Sequence, residues 1–422
     1  MADLADGGTA VLPLDGHVVV TGAGSPAGRA VAQWLAAAGV EVVALEDAPA
    51  APTASATARS DSATAGKETA QETDQDDGDA PDAGAAWHHV DIVRVDLTSP
   101  DVLAAMVSGS RFGSGAPGGR APGGGAPAAV VHVALDSDLR AALAQTPARR
   151  RERAEASVRA VVTAAAAAGA QQLVLVSSAM VHGALPDAPV PLPDDAPLLA
   201  APDDGLVGDL LAVEEVWAHA AQALPGVRTA VLRPAAVVGS DVDTVVTRSF
   251  EVPRLLALRE RAPVWQFCHV DDLAAAVAVV LREGLTGAMG AGADGVLVHE
   301  ALEKSSGLRS VELPARLAQA TAERLARLGL LPTPAGDLAY VVHPWAVSSA
   351  RLRAAGWEPQ HTNEDCLAVL LADVQARRAF RRSPTGRLGR EAALGAAGAA
   401  GAAVAVVATA AVLRQARARR GR

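Results

Sequence analysis

Short apolar runs alternate with amphipathic stretches through the first half of the chain. Residues 18–20 are three valines, residues 29–39 carry apolar positions at helical spacing, and residues 40–45 are again mostly apolar. A continuous apolar run is typical of a strand buried on both faces, and a period near 3.6 indicates a helix. The pattern therefore predicts that the first unit of the chain is a strand, a helix and a second strand.

The same alternation continues along the chain. Strands are predicted at 90–96, 128–134, 172–178 and 229–234, with helices at about 101–107, 149–168 and 207–223. Strands separated by helices at this spacing predict an α/β protein with a doubly wound parallel Rossmann sheet. Residues 236–265 and 285–375 are less regular, with a helix near 314–328, and favour a smaller C-terminal substrate domain at the carboxyl ends of the strands.

Two segments lack the large apolar residues of a folded element. Residues 48–86 are rich in Ala, Ser, Thr, Asp and Gly, and residues 109–127 are mostly Gly, Ala, Pro and Arg. Such compositions bury too little apolar surface to offset the entropy of ordering, so both segments are predicted to be disordered inserts. The predicted organisation is a tail at 1–15, a Rossmann domain at 16–235 that contains both inserts, and a substrate domain at 236–375, with 266–284 returning to the Rossmann domain.

The end of the chain has a different composition. A basic linker at 376–391 precedes an uncharged run at 392–413, and a basic tail at 414–422 follows. The run is long enough to span a bilayer at about 1.5 Å per residue, but it is mostly Ala and Gly, which makes insertion marginal. We expect a C-terminal apolar helix attached to the cell membrane, with an Ala-rich helix or flexible tail as the alternative. The flanking arginines are nearly balanced and set no orientation.

The overall composition narrows the partners and the compartment. A net charge of −10 argues against nucleic acid as the main partner. Two cysteines, Cys268 and Cys366, cannot by themselves form a disulfide framework or a cysteine metal site, which favours a reducing compartment. The acidic N-terminus has no apolar core of signal-peptide length, so the bulk of the chain is predicted to be cytoplasmic.

The turn between the first strand and the first helix carries the most specific pattern. Residues 21–28 read Thr-Gly-Ala-Gly-Ser-Pro-Ala-Gly. Gly22 and Gly24 permit a tight turn and a close approach of backbone N–H groups to a pyrophosphate. Gly28 permits close packing of the helix on the strand. This pattern predicts a dinucleotide-binding turn.

The residues that flank this turn support the same interpretation. Ser25 is a suitable N-cap, and Pro26 fits the first helical position. The helix N-terminus then directs its partial positive charge at the phosphates. Glu46, at the end of the second predicted strand, is placed to accept hydrogen bonds from an adenine ribose. A carboxylate there favours NAD over NADP as the cofactor.

Six further motifs follow the glycine turn in a fixed order. They are Val95-Asp96-Leu97, 131–134 (Val-His-Val-Ala), 177–183 (Ser-Ser-Ala-Met-Val-His-Gly), 233–239 (Arg-Pro-Ala-Ala-Val-Val-Gly), 266–274 (Gln-Phe-Cys-His-Val-Asp-Asp-Leu-Ala) and 349–359 (Ser-Ala-Arg-Leu-Arg-Ala-Ala-Gly-Trp-Glu-Pro). Each motif alone is weak. In this order they resemble an extended short-chain dehydrogenase/reductase of the NAD-dependent epimerase/dehydratase type, over residues 16–375.

The resemblance implies roles for residues at the strand ends. Asp96 would hold the adenine amino group, and Leu97 beside it would also contact the cofactor. Ala134 would lie along the ribose and pyrophosphate. Pro234 would approach the nicotinamide. Ser178 matches the catalytic serine or threonine that hydrogen-bonds the substrate oxygen. Ordinary turn chemistry is the alternative for Asp96, Pro234 and Ser178.

The chain departs from this family at its proton relay. The family uses Tyr-x-x-x-Lys on the helix after the serine strand, where the lysine lowers the tyrosine pKa and holds the ribose. Leu206 and Leu210 stand at those positions here. The single tyrosine, Tyr340, is far downstream, and Lys67 and Lys304 are the only lysines. The usual catalytic pair is therefore absent from the sequence.

Three other residues, His182, Asp209 and Glu214, are candidates for acid–base chemistry. His182 has a suitable intrinsic pKa, although the family's geometry and a packing role both count against it. Asp209 and Glu214 lie on the helix of the lost pair, where a solvated helix face is the favoured interpretation.

A metal site is not predicted. His269 with the adjacent Asp271 and Asp272 could begin a metal site, but no additional ligand has suitable spacing in the sequence. The related family uses this motif to cap a helix.

These observations leave three functions open. The first is an NAD-binding, membrane-associated protein with a degenerate catalytic site and a binding, regulatory or altered redox role. The second is an active NAD-dependent oxidoreductase or sugar-nucleotide epimerase that uses other acid–base groups. The third is a membrane-associated scaffold with an empty cofactor site. The expected ligand is a small molecule, such as a nucleotide sugar.

Overall fold

The computed structural model describes most of the chain between residues 14 and 382. The described residues are 14, 16–48, 90–108, 126–135, 138–251, 254–259, 263–314, 337 and 339–382. The predicted inserts at 48–86 and 109–127 lie almost entirely outside this set, as do most of the predicted tail at 1–15, nearly all of the predicted helix near 314–328, and the run at 392–413. Within the described residues, no helix has the length and apolar character needed to cross a membrane.

The elements follow the predicted alternation closely in the first half of the chain. The strands are β1 (Val18–Thr21), β2 (Val42–Asp47), β3 (Val90–Val95), β4 (Ala129–Val133), β5 (Gln172–Val176), β6 (Arg228–Pro234), β7 (Ala236–Val238), β8 (Arg254–Leu258), β9 (Val264–Trp265), β10 (Phe267–His269), β11 (Gly287–Ala291), β12 (Leu297–Val298) and β13 (Arg309–Leu313). The helices are α1 (Pro26–Ala37), α2 (Asp101–Ser108), α3 (Leu139–Leu143), α4 (Pro147–Ala168), α5 (Leu206–Ala223), α6 (Val245–Arg248), α7 (Val270–Arg282), α8 (His299–Ser306), α9 (Ala339–Val342), α10 (Ala350–Ala354) and α11 (Asn363–Arg382).

Seven of these strands form one parallel sheet. Their order across the sheet is β11-β6-β5-β4-β1-β2-β3, and every neighbouring pair is parallel. The order reverses direction between β1 and β4, so the carboxyl ends of these two strands border the crevice where ligands bind in open α/β sheets. The predicted doubly wound parallel sheet is confirmed.

Two apolar layers cover the sheet because side chains along each strand alternate between its faces. Val18 and Val20 of β1 belong to the cluster that contains α1 and α7, whereas Val19 belongs to the cluster that contains α2, α4 and α5. All three valines are fully buried. A strand buried on both faces explains the continuous apolar run in the sequence.

The C-terminal region is more regular than its sequence predicts. Three small two-stranded sheets pair β7 with β10, β8 with β13 and β9 with β12. Helix α11 continues through Arg382, into the segment predicted to be a basic linker from residue 376. Part of the reason is that Arg377 lies 3.2 Å from Glu251 and 2.8 Å from Asp373, so this basic residue belongs to an ion-paired helix face.

A buried histidine beneath the glycine turn predicts a pH effect on stability. His132 of β4 has its Nδ1 2.7 Å from Thr21 Oγ1, and burial lowers the pKa of His132 to about 4. The unfolded chain, with a histidine pKa near 6.5, binds the proton first. Stability is therefore complete above about pH 6.5 and falls as the pH approaches 4, by ~2 kcal/mol between pH 7.5 and 5.

Urea unfolding at the two pH values measures this effect. The His132→Gln variant should show a smaller loss between pH 7.5 and 5 than the unsubstituted chain, because its buried amide does not titrate. Equal losses in the two proteins would show that other groups cause the pH dependence.

Candidate functional site

The glycine turn is a closed hydrogen-bonded unit at the start of α1. Gly22 has a φ of +78° and lies so close to β4 that a Cβ there would be 2.6 Å from the Val133 carbonyl oxygen. Ser25 Oγ accepts from the Gly28 backbone N–H at 3.1 Å and donates to the Gly22 carbonyl at 2.8 Å. Pro26 is the first residue of the helix. The predicted cap and turn are confirmed.

Gly24 and Gly28 serve different purposes in this turn. A Cβ on Gly28 would be 2.1 Å from the Gly22 carbonyl oxygen and 2.7 Å from its carbon, so this position requires glycine for packing. A Cβ on Gly24 would have no neighbour within 4 Å. The fold within the described residues therefore does not require glycine at position 24, and that surface is open to a ligand.

Glu46 lies beside the glycine turn at the end of β2. The Ala23 N–H donates to the carbonyl of Leu45, the residue before Glu46, at 3.3 Å, which holds the turn against this strand end. The Glu46 carboxylate accepts from Arg94 Nε at 3.1 Å, and Arg94 is largely exposed. An exposed ion pair of this kind is weak, so the carboxylate can exchange this partner for a ligand hydroxyl.

Two further carboxylates at this edge of the sheet, those of Asp47 and Asp96, share an arginine partner that no sequence pattern indicated. Arg153 of α4 contacts Asp47 at 2.6 Å and Asp96 at 3.3 Å, which ties α4 to the ends of β2 and β3. Hydrogen bonds from Thr98, assisted by Arg153, hold the pKa of Asp96 below its usual range. The N–H of the buried Leu97 donates to Asp47 at 3.2 Å. Since Arg153 is far from both aspartates in sequence, no local pattern indicated the contact.

A cavity of about 110 Å³ opens beside the carboxyl ends of β4 and β5. Ala134 and Ser178 line it from the strand ends, and Leu206 and Leu210 line it from α5. Ser178 Oγ accepts from the Met180 backbone N–H at 3.3 Å. The structure thus brings together the predicted serine and the two leucines that the resemblance places at the relay positions.

Asp209 was predicted to lie on a solvated helix face, and that prediction is wrong. The residue is only 6% exposed and lines the same cavity. Its two oxygens accept from Arg150 Nε at 2.5 Å and Arg151 Nε at 3.0 Å. Burial raises the pKa of Asp209, although both arginines favour its charged form. With each oxygen engaged by a guanidinium, Asp209 serves to bind α5 to α4.

The same correction applies to Glu214, one turn further along α5. This residue is 5% exposed, and its carboxylate accepts from Arg233 of β6 at 2.7 Å and 3.2 Å. Pro234 follows at the end of β6, paired with Ala291 of β11. The buried pair fixes the helix to the strand end at which Pro234 was predicted to approach a nicotinamide.

The comparison with known proteins agrees with this architecture. Residues 121–290 match the model of the NAD dependent epimerase/dehydratase family. This segment, which includes β4, β5 and β6, is similar to an NAD-dependent epimerase/dehydratase domain. No curated protein matches the chain.

Solved structures of three enzymes share the fold of this chain. UDP-glucose 4-epimerase of Thermus thermophilus, in complex with NAD, is 18% identical with a TM-score of 0.55, covering 85% of this chain and 99% of its own. UDP-glucose 4-epimerase of Stenotrophomonas maltophila, with NAD and formylated UDP-arabinopyranose, is 18% identical with a TM-score of 0.56, covering 86% and 99%. DesIV of Streptomyces venezuelae, a dTDP-glucose 4,6-dehydratase with NAD and TYD bound, is 17% identical with a TM-score of 0.56, covering 86% and 98%.

His182 does not line this cavity. Its ring is buried, and its Nδ1 lies 3.1 Å from the Pro197 carbonyl oxygen. Burial lowers the pKa of His182, so the ring is neutral at neutral pH. Of the two residues predicted as catalytic, Ser178 lines the cavity and His182 does not.

Tyr340 is remote in sequence, but it lies next to residues 177–183, the segment that contains Ser178. Its hydroxyl donates to the Met180 carbonyl at 2.8 Å, and its ring makes an edge contact with Trp345, which lines the cavity. Burial, with Asp337 and Asp203 nearby, raises the pKa of Tyr340. The hydroxyl is thus committed to the backbone and is a weaker acid than a free tyrosine, unlike the tyrosine of the family's relay.

The fold supplies a third candidate metal ligand that no sequence spacing indicated. It brings His361 close to His269 and Asp271, with ligand atoms within 4.8 Å of one another. The two imidazole rings are stacked, with centroids 3.8 Å apart and planes 24° apart. Nitrogen lone pairs lie in the ring planes, so nearly parallel rings do not direct them at one ion. His361 Nδ1 instead lies 3.0 Å from Asp272.

Proposed function

We propose that this chain is an NAD-binding protein with a binding, regulatory or altered redox role, and without the family's tyrosine–lysine proton relay. The open surface at Gly24, next to the N-terminus of α1, supports the cofactor half of the proposal. The two leucines in the cavity support the catalytic half, since neither side chain transfers a proton.

The residues present fit one end of the cofactor better than the other. Gly22, Gly24 and Ser25 would hold the pyrophosphate, Glu46 the adenine ribose, and Asp96 with Leu97 the adenine. Ala134 and Pro234 would border the nicotinamide half, whose ribose has Leu210 where the family has a lysine. Bound NAD would supply a hydride acceptor. The chain itself offers the Ser178 hydroxyl, on the wall of the cavity that Ala134 also lines.

The Gly24→Ala variant tests cofactor binding directly. We expect it to fold normally, since its Cβ meets no neighbour, and to bind NAD about tenfold more weakly because the methyl group displaces the pyrophosphate. Gly226→Ala is the matched control, because Gly226 is exposed and equally open, on the turn after α5. Calorimetric titration of NAD measures all three proteins.

A second pair of variants tests the choice of nucleotide. Glu46→Arg should weaken NAD binding about tenfold and improve NADP binding. Glu41→Arg makes the same charge change on an exposed residue at the other end of β2 and should change neither affinity. No NAD binding by the unsubstituted chain would favour the scaffold with an empty site.

An active oxidoreductase or sugar-nucleotide epimerase is the second candidate. Ser178, at the position of the catalytic serine and on the cavity wall, favours it. Nucleotide-sugar turnover at rates ordinary for enzymes, abolished in Ser178→Ala, would support this candidate and overturn the loss of catalysis.

Membrane attachment through residues 392–413 is part of the proposal and rests on the sequence alone. We expect the full chain to sediment with membranes after cell lysis, and a chain ending at Gly389 to stay in the supernatant. Equal distribution of the two chains would contradict attachment by this segment.

A further inference from the structure

The cavity beside Ser178 has mostly apolar walls. Leu206, Leu210 and Val213 of α5 line one side, and Leu135 and Trp345 line others. In the related family, the first two of these positions carry a tyrosine and a lysine. Two leucines replace both, so these two positions offer a ligand no hydrogen-bonding side chain.

Most polar side chains at the wall are already engaged. Arg150 and Asp209 bind each other at 2.5 Å, and Thr244 belongs to a capping box with Thr247. Asp337 also interacts with its surroundings. Ser178 Oγ accepts from the Met180 N–H, and its own hydrogen makes no hydrogen bond to a described residue. The Ser178 hydroxyl is therefore an unused hydrogen-bond donor at a cavity whose walls are mostly apolar.

This arrangement selects strongly between classes of ligand. A pyranose would bury several hydroxyl groups against leucine, valine and tryptophan, and each hydroxyl without a partner lowers affinity about tenfold. An apolar group gains affinity from the same walls in proportion to the area it buries. A single oxygen on that group could accept from Ser178.

We propose that this cavity binds a small apolar carbonyl compound, such as a cyclic or aromatic ketone, with its oxygen at Ser178 and its ring against Leu206 and Leu210. The inference rests on the proposed function in that the ligand lies beside the predicted nicotinamide end. It replaces the nucleotide sugar expected from the sequence with an apolar ligand class.

Ligand-observed NMR titration of the full chain tests this proposal. The probes are cyclohexanone and methyl glucopyranoside, which have six-membered rings and differ in their hydroxyl groups. We expect the ketone to bind at least about tenfold more tightly than the glucoside. Equal binding, or tighter binding of the glucoside, would overturn the proposal.

Variants on α5 locate the binding site. Leu210→Asn should lower cyclohexanone affinity about fivefold by placing an amide in the apolar wall. Leu211→Asn is the control, because the adjacent leucine does not line this cavity. Leu210→Ala, which keeps the wall apolar, should retain the preference for the ketone if the asparagine variant fails to fold. Unchanged cyclohexanone binding in folded Leu210→Asn would contradict the proposal.

The role of the serine is tested with a probe that lacks the oxygen. Ser178→Ala should lower cyclohexanone affinity about fivefold and leave methylenecyclohexane binding unchanged. NAD is titrated into the same samples. Binding of NAD without the ketone defeats this inference alone, whereas binding of the ketone without NAD defeats the proposed function and leaves the cavity's ligand class in place.

Discussion

Replacing Arg233 with methionine is expected to lower the free energy of unfolding by ~3–5 kcal/mol. The Arg233 guanidinium donates to both oxygens of Glu214, at 2.7 Å and 3.2 Å, and both side chains are nearly inaccessible to water. Methionine fills most of the same volume but leaves the Glu214 carboxylate buried without its cation. An uncompensated buried charge loses its hydration and gains no partner in exchange.

The paired substitution separates this cause from a simple packing defect. Glu214→Leu combined with Arg233→Met removes both charges, and we expect the double variant to recover most of the lost stability, because apolar replacement of a buried ion pair is often neutral. Urea unfolding of both single variants and the double variant measures the coupling. A double variant as unstable as the sum of the singles would show that the pair contributes through shape alone.

The first half of the fold was predictable because its signals are local. The valine run, the glycine turn, Ser25 and Pro26 lie next to one another in sequence and form β1, the turn and α1 as expected. Helix α4 ends at Gly169 with a φ of +82°, which only glycine adopts readily. Each of these features needs no partner from elsewhere in the chain.

The polar interior was not predictable in the same way. Asp209 and Glu214 look like ordinary solvated positions on α5, and only the fold shows that Arg150, Arg151 and Arg233 meet them. A buried charge requires a charged partner, and a charged residue with no partner nearby in sequence is therefore predicted to be exposed. Here the partners come from other elements, α4 and β6. The contact of Arg153 with Asp47 and Asp96 arises in the same way.

Distance in sequence also hides contacts between candidate functional groups. Tyr340 is remote in sequence, yet it lies against Met180. His361 meets His269 although no spacing pattern links them. In both cases proximity alone does not make chemistry, because the tyrosine hydroxyl is committed to a backbone carbonyl and the two imidazoles are stacked. The identity of the residues at the cavity wall therefore matters more than their nearness.

Gly28→Ala is expected to lower the free energy of unfolding by at least about 3 kcal/mol, at the upper end of the cost of overpacking. The added Cβ would be 2.1 Å from the Gly22 carbonyl oxygen and 3.0 Å from the Ala23 Cα, and all the nearest atoms belong to the backbone. No side-chain rotation relieves this contact, so the turn and α1 must move apart. The move would also break the Ser25 bonds that close the turn.

Gly24→Ala distinguishes this structural requirement from a ligand requirement. Both substitutions add one methyl group to the same turn, but only the Cβ on residue 24 has open space around it. Thermal unfolding should therefore separate the pair, with Gly28→Ala destabilised and Gly24→Ala close to the unsubstituted chain. If Gly28→Ala unfolds at the same temperature as Gly24→Ala, the packing of α1 on the turn is looser than these distances require. In either case, the lower NAD affinity expected of Gly24→Ala is explained by a bound pyrophosphate and not by packing within the turn.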